Sequence, residues 1–253
     1  TMNELKAALQ KCNDSAAGLA CIHYQLLTHL PEECLYVLLK AFNHIWTTGS
    51  FPSSWREAIV VPIPKPGRDP TNPGNYRPIA LTSCLCKTME RLVNSRLVWH
   101  LESHGLLTDL QCGFRRFHST TDHLVRFESF IRDAFIEKQH VLAVFFDLEK
   151  AYDTTWKYGI MSDLFDMGFR GHLAVFIGNF LSNRLFRVRV GSTLSDSFEQ
   201  EMGVPQGSIL SPVLFNIKIN NIIKAVSQDS DCSLFVDDFA LCARGRYLPS
   251  LER

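Results

Sequence analysis

Two adjacent aspartates, Asp237 and Asp238, lie between two short apolar runs in the segment SLFVDDFALC at residues 233–242. The apolar runs predict two short strands, 232–236 and 239–243, and the tight turn between them would carry both acids. An Asp-Asp pair in a turn is usually just solvated, because aspartate is a common turn residue. An ordinary surface turn does not need apolar strands on both sides, so these flanking strands favour a functional site.

A third acid, Asp147, follows the apolar run VLAVFF at residues 141–146, which predicts another buried strand. If the three strands are neighbours in one sheet, the three carboxylates meet at one edge. Like charges that close cannot all remain ionised unless a cation neutralises them. Oxygen ligands suit Mg²⁺ or Mn²⁺, and two ions about 3.5–4 Å apart can act on the attacking and leaving oxygens of a phosphoryl transfer. The acids therefore predict a site for two such ions.

Apolar residues at helical spacing predict the helices that surround these strands. The predicted helices cover residues 4–11, 31–47, 84–103, 118–138, 153–168, 170–183 and 209–226. Ser119 or Thr120 is expected to cap the fourth of them.

Further strands are predicted outside the acidic segments. A proline-rich stretch predicts strands 57–63 and 76–81, joined by an exposed loop. FRVRVGS at 186–192 alternates apolar and basic residues, as a half-buried strand does, and SFEQEMG at 197–203 is a possible hairpin partner. Together these elements predict an α+β fold, in which a helical and hairpin subdomain precedes a split-βαβ platform.

The composition excludes some classes of protein. Among the 253 residues, 46% are hydrophobic, and 26 basic residues balance 26 acidic ones, so net charge does not indicate a polyanionic partner. The eight cysteines have no C-x-x-C spacing, and we expect reduced thiols. No apolar run approaches the roughly 18 residues of a membrane span. We therefore expect no membrane partner and an intracellular protein, in the nucleus or the cytoplasm.

Three segments resemble, in order and spacing, the palm motifs of reverse transcriptases: VFFDLEKAYDTTW at 144–156, GVPQGSILSPVLFNI at 203–217 and FVDD at 235–238. Two earlier segments, NYRPIALTSCLCKTMERL at 75–92 and QCGFRRFHSTTDHL at 111–124, resemble the fingers motifs of the non-LTR retrotransposon branch, closest to Jockey-like elements.

The resemblance implies the fingers and palm of a right-hand polymerase, the palm being a split-βαβ, ferredoxin-like antiparallel sheet with helices. We expect an N-terminal helical extension over residues 1–52, fingers over 53–140 and a palm over 141–253. The family's next palm motif, primer grip and thumb do not follow in this sequence, so we expect a fragment of a longer polypeptide.

The resemblance assigns the metal-binding and catalytic roles to the three acids. It implies that Asp147 and Asp237 bridge the metal ions and that Asp238 contributes a ligand or the local field. The motif reads FVDD where FADD or YADD is commoner. Because valine is bulkier than alanine but both aspartates remain, we expect a change in rate or fidelity before a loss of activity.

The resemblance also assigns substrate-binding roles. Tyr152 corresponds to the aromatic steric gate that excludes a ribose 2′-hydroxyl, although an ordinary buried tyrosine is the alternative. Gln206 would line the pair formed by the incoming nucleotide and the template, and Gly207 would let the backbone approach it closely.

Three basic residues of the predicted fingers complete the set of predicted site residues. Lys65 and Arg77 would lie over the triphosphate, where cations offset the charge that develops as pyrophosphate leaves. Arg115 would contact the template or phosphates, with a structural salt bridge as the equal alternative.

Together these roles imply an RNA-directed DNA polymerase that adds deoxynucleoside triphosphates to the 3′-hydroxyl of a DNA primer on an RNA template. One alternative is an inert retrotransposon relic that at most binds nucleic acid. A weaker alternative is another two-metal enzyme, a nuclease or a phosphatase, which the motif GVPQGSILSP argues against.

Overall fold

The computed structural model describes residues 1–12, 16–226, 230–247, 249 and 251. The chain forms two compact units, each built from two separate stretches: the first is Thr1–His100 with Tyr152–Ser211, and the second is Leu101–Ala151 with Pro212–Arg253. The predicted division into an extension, fingers and palm follows the order of motifs along the chain and stays a prediction.

The described residues form two sheets and a set of helices. The strands are β1 (Glu57–Pro64), β2 (Tyr76–Leu81), β3 (His140–Phe146), β4 (Leu185–Val190), β5 (Thr193–Leu194), β6 (Phe198–Glu199), β7 (Ser230–Phe235) and β8 (Asp238–Gly245). The α-helices are α1 (Met2–Gln10), α2 (Tyr24–Thr28), α3 (Glu32–Thr48), α4 (Cys84–Ser103), α5 (Thr120–Ile136), α6 (Ala151–Thr154), α7 (Lys157–Asp166), α8 (His172–Leu181) and α9 (Ser211–Ile219).

The sheet of the first unit is built on the hairpin predicted from the proline-rich stretch. Strands β1 and β2 pair antiparallel from Ile59 opposite Leu81 to Pro64 opposite Tyr76. On its other side β1 pairs in parallel with β4, and the short strands β5 and β6 pair with β4. The predicted partner segment of FRVRVGS therefore does pair with it, through β6. The parallel pairing of β1 with β4 was not predicted.

Helices of the first unit bury its apolar side chains. Trp46 of α3 packs against Phe176 of α8, with ring centroids 6.0 Å apart. The helix α3 ends at Gly49, which takes a left-handed conformation with φ of 69°. The best-buried side chains of this unit include Leu5, Leu97, Ile160, Leu164, Ile177 and Phe180.

The single helix predicted over residues 153–168 is wrong, because the structure has two helices, α6 and α7. The break has a physical cause: the carbonyls of Tyr152 and Thr155 accept hydrogen bonds from the amides of Val204 (2.8 Å) and Gly203 (2.9 Å). Backbone groups that would continue a helix are used to bind another loop instead.

The helix predicted over 209–226 begins later and ends earlier than expected. It starts at Ser211, whose amide donates to the Ser208 hydroxyl (3.2 Å), and Pro212 follows at a position where the helix does not need an amide. After Ile219 the chain continues as a 3₁₀ helix over Asn220–Ala225.

The second unit has a three-stranded antiparallel sheet in the order β3-β8-β7. Helix α5 packs on one face of this sheet, where the Phe127 and Phe145 ring centroids are 5.9 Å apart. Ser119 caps α5 as predicted, because its hydroxyl accepts the Asp122 amide and the Asp122 carboxylate accepts the Ser119 amide.

Among the residues that the structure describes, no helix is both long and apolar enough to span a bilayer.

Candidate active site

The two adjacent aspartates lie where the β7–β8 hairpin turns. Phe235 pairs with Asp238, which leaves a loop of two residues, Val236 and Asp237. Val236 has a φ of 60°, whereas Asp237 does not have a positive φ. A positive φ at the first of two loop residues is the pattern of a type II′ hairpin, where glycine is usual. A tight turn is therefore present as predicted, but it lies one residue earlier, because Val236 and Asp237 form it and Asp238 begins β8. A β-branched residue occupies its left-handed position.

Asp147 meets this turn through the pairing of β3 with β8. The last pair in that ladder is Phe146 with Phe239, so the next position along each strand sets Asp147 opposite Asp238. Opposite residues in antiparallel strands have Cα atoms about 4.5–5.5 Å apart. The structure thus brings the three predicted acids to one end of the sheet. Asp147 and Asp238 also line the same open cavity of about 300 Å³.

The electrostatics of this edge follow from its three acids. Asp237 is half-buried, whereas Asp147 and Asp238 are exposed. Burial raises the pKa of Asp237 above its ordinary value, and the negative charges of Asp238 and Asp147 raise it further. The edge therefore favours neutralisation of its charge, either by a proton on Asp237 or by a bound cation.

Divalent ions fit the donor set of this edge. Within the described residues, no group of three His, Cys, Asp or Glu side chains is close enough to hold an ion by itself. Mg²⁺ commonly takes only one or two carboxylates from a protein and completes its shell with water and substrate phosphates. The open arrangement of Asp147, Asp237 and Asp238 suits such a shared ion better than a closed protein cage.

Two residues near the acids were not predicted as site residues. His123 of α5 lines the cavity with Asp147 and Asp238, and its ring shares a hydrogen bond with the Ser233 hydroxyl. Gln111 hydrogen-bonds to the backbone of the turn. Both residues lie in the predicted fingers motif at 111–124, but no local pattern in the sequence indicates that either lies near the acids.

Tyr152, Gln206 and Gly207 lie in the first unit. Tyr152 is half-buried and is the first residue of the second stretch of the chain in that unit. Its carbonyl accepts the Val204 amide. The Gln206 side chain donates to the Asp153 carboxylate (3.1 Å). The Tyr152 carbonyl and the Gln206 side chain both take part in contacts between the AYDTTW and GVPQG segments.

Position 207 requires glycine for two reasons: the backbone conformation there and the close approach of the loop to β2. Its φ is 112°, and a Cβ atom there would lie 2.8 Å from the Ala80 carbonyl oxygen of β2. The neighbouring Gln206 carbonyl accepts the Ala80 amide at 2.7 Å. The loop is thus held against β2, beside a cavity of about 330 Å³ lined in part by Gln206 and Asp153.

Lys65 and Arg77 lie at the loop end of the β1–β2 hairpin. Arg77 is opposite Ile63, and Lys65 follows the last residue of β1. Both side chains are exposed, and the Lys65 ammonium donates to the Gly74 carbonyl (3.4 Å). Their positions leave both cations accessible to a charged ligand.

Arg115 is used inside the second unit. Its guanidinium forms an ion pair with Glu102 (2.6 Å) and donates to the carbonyls of Thr108 (2.6 Å) and Gln111 (3.2 Å). The side chain is only 6% exposed. These contacts fit the structural alternative for Arg115, and its contact with a template or phosphates stays a prediction.

Comparison with known proteins identifies the family. Residues 63–248 match the family described as reverse transcriptase (RNA-dependent DNA polymerase). The chain is 37% identical over 194 residues to a probable RNA-directed DNA polymerase from transposon BS of Drosophila melanogaster, covering 76% of this chain and 21% of that protein. It is 29% identical over 253 residues to the RNA-directed DNA polymerase from mobile element jockey of the same species, covering 97% of this chain and 28% of that protein.

A third relative and one solved structure agree with this assignment. The probable RNA-directed DNA polymerase from transposon X-element of Drosophila melanogaster is 30% identical over 241 residues, covering 94% of this chain and 26% of that protein. The structure of apo telomerase from Candida tropicalis superposes with a TM-score of 0.56 at 14% identity, covering 87% of this chain and 50% of that one. That likeness shows a shared fold and supports the predicted α+β fingers and palm class.

The chain spans between 21% and 28% of the length of these three relatives. The family match covers more than half of the chain, and the relatives are polymerases of mobile elements. The predicted resemblance to a non-LTR, Jockey-like retrotransposon enzyme is confirmed: this chain belongs to the reverse transcriptase (RNA-dependent DNA polymerase) family.

Proposed function

We propose that this chain carries the polymerase centre of an RNA-directed DNA polymerase. The substrates would be an RNA template, a DNA primer and deoxynucleoside triphosphates, and the cofactors would be two Mg²⁺ or Mn²⁺ ions. The observation that carries the proposal is the meeting of Asp147 with Asp237 and Asp238 at one edge of a sheet, in a chain of this family.

In this proposal the three carboxylates hold the ions. Asp147 and Asp237 would bridge them, and Asp238 would add a ligand or negative field. When bound, such ions favour the ionised form of the primer hydroxyl and offset the negative charge of the reacting phosphates. Asp237 would bind an ion in its ionised form. Burial and the charges of Asp238 and Asp147 raise its pKa, and a bound cation would oppose that effect.

The side chains of the first unit would select and orient the nucleotide. The Tyr152 ring would reject a ribose 2′-hydroxyl by steric clash. The Gln206 amide, oriented by its hydrogen bond to Asp153, would contact the incoming nucleotide or the template base. The exposed cations of Lys65 and Arg77, at the loop end of the hairpin, would bind the negatively charged triphosphate.

The source of the relatives supports the proposed partners and location. The chain's relatives are RNA-directed DNA polymerases of transposable elements. A polymerase that copies element RNA into chromosomal DNA would act inside the cell, with its template and primer as partners. We propose no membrane partner.

Primer extension tests this function. The wild-type protein, as the 253-residue chain and as a longer product of its coding sequence, is supplied with an RNA template, a DNA primer, deoxynucleotides and Mg²⁺ or Mn²⁺. We expect template-dependent extension, and we expect Asp147→Asn and Asp237→Asn each to reduce it to background. Asp133→Asn, at an exposed position of α5 in the same unit, is the matched control and should extend normally.

Two results would contradict the proposal. Background-level synthesis by the longer wild-type protein and by both variants would support the inert relic instead. Normal synthesis by Asp147→Asn would show that the three acids do not form the polymerase centre.

A further inference from the structure

We propose that Gln111 is a positioning residue that fixes the turn carrying Asp237 and Asp238. In this inference, which rests on the proposed polymerase function, its side-chain carboxamide holds the backbone of Val236 in its left-handed conformation. Gln111 then determines the direction in which the side chains of Asp237 and Asp238 point from the hairpin.

The Gln111 carboxamide contacts both backbone groups of Val236. Its oxygen accepts the Val236 amide at 2.8 Å, and its nitrogen donates to the Val236 carbonyl at 3.2 Å. The same oxygen accepts the Gly113 amide at 2.8 Å. Gln111 is 1% exposed, so water does not compete for these hydrogen bonds.

The carboxamide continues a row of backbone hydrogen bonds along the free edge of β7. The Leu234 amide donates to the Leu110 carbonyl (3.2 Å), and the Cys112 amide donates to the Leu234 carbonyl (2.9 Å). Gln111 and Leu234 form a parallel bridge there. Two residues after Leu234, the Gln111 side chain supplies Val236 with the hydrogen bonds that a neighbouring strand would otherwise make.

The turn needs this support because its first residue is a valine. A φ of 60° is unfavourable for a β-branched residue and is easily adopted only by glycine. A strained conformation of this kind persists only when its surroundings hold it. Loss of the two hydrogen bonds would let Val236 return to a negative φ, which would reorient Asp237 and its neighbour.

Gln111 is itself held by a helix-anchored loop. The Asn216 side chain of α9, 2% exposed, donates to the Gly113 carbonyl at 2.9 Å. Asn220 accepts the Thr108 amide at 2.7 Å. A side chain supported in this way can set the position of its neighbours, as a residue on a mobile loop cannot.

Close packing at Gly113 also supports the contact between Gln111 and Val236. A Cβ atom at Gly113 would lie 2.3 Å from Val236 Cγ2 and 2.6 Å from the Val236 nitrogen. Glycine at this position therefore allows the loop to approach the turn closely enough for Gln111 to bind both backbone groups of Val236.

The experiment uses substitutions that remove the hydrogen bonds while keeping the volume. Gln111→Met is the main variant, and Gln111→Leu, which also lacks both the acceptor and the donor, is the second variant in case the first does not fold. Gln139→Leu removes a polar side chain from the other end of the same unit and is the matched control. Amide hydrogen exchange is measured at Val236 and Leu234, and Mn²⁺ affinity is measured on the same samples.

We expect the Val236 amide to exchange about tenfold faster in Gln111→Met than in wild type, because loss of one hydrogen bond changes the opening equilibrium by about tenfold. The exchange rate of the Leu234 amide should change little. Mn²⁺ affinity should fall by about tenfold or more, and both values should be unchanged in Gln139→Leu. Val236→Gly should restore Mn²⁺ affinity in the Gln111→Met background but should not improve it in wild type, because glycine adopts the positive φ without support.

The outcomes separate this inference from the proposed function. Unchanged Val236 exchange in both Gln111 variants would overturn the inference, whatever the polymerase activity. Faster exchange with unchanged Mn²⁺ affinity, or no rescue by Val236→Gly, would show a merely structural hydrogen bond and would also overturn it. If wild-type protein neither binds Mn²⁺ nor extends primers, the proposed function fails, and the exchange at Val236 still decides whether Gln111 fixes the turn.

Discussion

Glu90 of α4 offers a sharp test of how the GVPQGSILSP loop is held. Its side chain is fully buried, and one carboxylate oxygen accepts the amides of Ile209 (2.7 Å) and Leu210 (3.2 Å). The other oxygen accepts the Cys86 thiol (3.3 Å). These amides lie just before α9, in the loop that also carries Gln206, so Glu90 satisfies backbone donors that precede the helix.

The expected cost of removing Glu90 follows from these contacts. Glu90→Ala leaves two buried amides without an acceptor, each worth about 1–3 kcal/mol, and adds a small cavity, so we expect a loss of about 3–5 kcal/mol in the free energy of unfolding. Glu90→Gln keeps one oxygen for both amides but loses the charge and the acceptor of the Cys86 thiol, so we expect a loss of about 1–2 kcal/mol.

Urea unfolding of the wild type and of both variants measures these differences. Glu128→Ala is the matched control, because Glu128 is a helical glutamate with 58% exposure whose ion pair with Arg132 is worth less than about 0.5 kcal/mol. An Ala variant of Glu90 that loses less than about 1 kcal/mol would refute the assignment of this carboxylate as the acceptor of both amides.

Three further predictions follow from the site and its supports. Tyr152→Ala should increase ribonucleotide insertion in primer extension, and unchanged sugar selection would remove the gate assignment. Gly207→Ala should cost at least about 2 kcal/mol in urea unfolding, because its Cβ meets a β2 backbone oxygen, whereas Gly191→Ala, at a φ of 61° in open space, should cost about 1 kcal/mol; equal costs would contradict the packing argument. Arg115 lowers the pKa of Glu102, so this pair stabilises the fold above the ordinary glutamate pKa of about 4.3 and loses that effect as the pH falls through the lowered pKa. The difference in the free energy of unfolding between wild type and Glu102→Gln should therefore shrink from pH 7 to pH 3. A constant difference would contradict this prediction.

The sequence predicted the acidic edge because each part of it is local. Apolar runs of strand length end in acids at Asp147 and around Asp237, and two such runs separated by a two-residue turn must form a hairpin. The hairpin 57–63 with 76–81 was predictable for the same reason. Residues that act through short, regular patterns are therefore the ones that sequence reasoning places well.

Contacts between distant segments were not predictable from local patterns. The parallel pairing of β1 with β4 joins strands more than 100 residues apart. The helix break after Thr154 depends on amides of the GVPQG loop, and Gln111 reaches a turn 125 residues later in the chain. Arg115 showed the same limit: its two possible roles could be weighed only once Glu102 was seen to be its partner.

Direct Mn²⁺ binding tests the central claim, that Asp147, Asp237 and Asp238 together hold divalent ions. The free ion is measured by electron paramagnetic resonance during titration of the wild type, Asp147→Asn, Asp237→Asn and the control Asp133→Asn. We expect saturable binding by the wild type and the control, and an affinity at least about tenfold weaker in each of the other two variants, since each loses one charged ligand. Equal Mn²⁺ affinity in all four proteins would contradict the account.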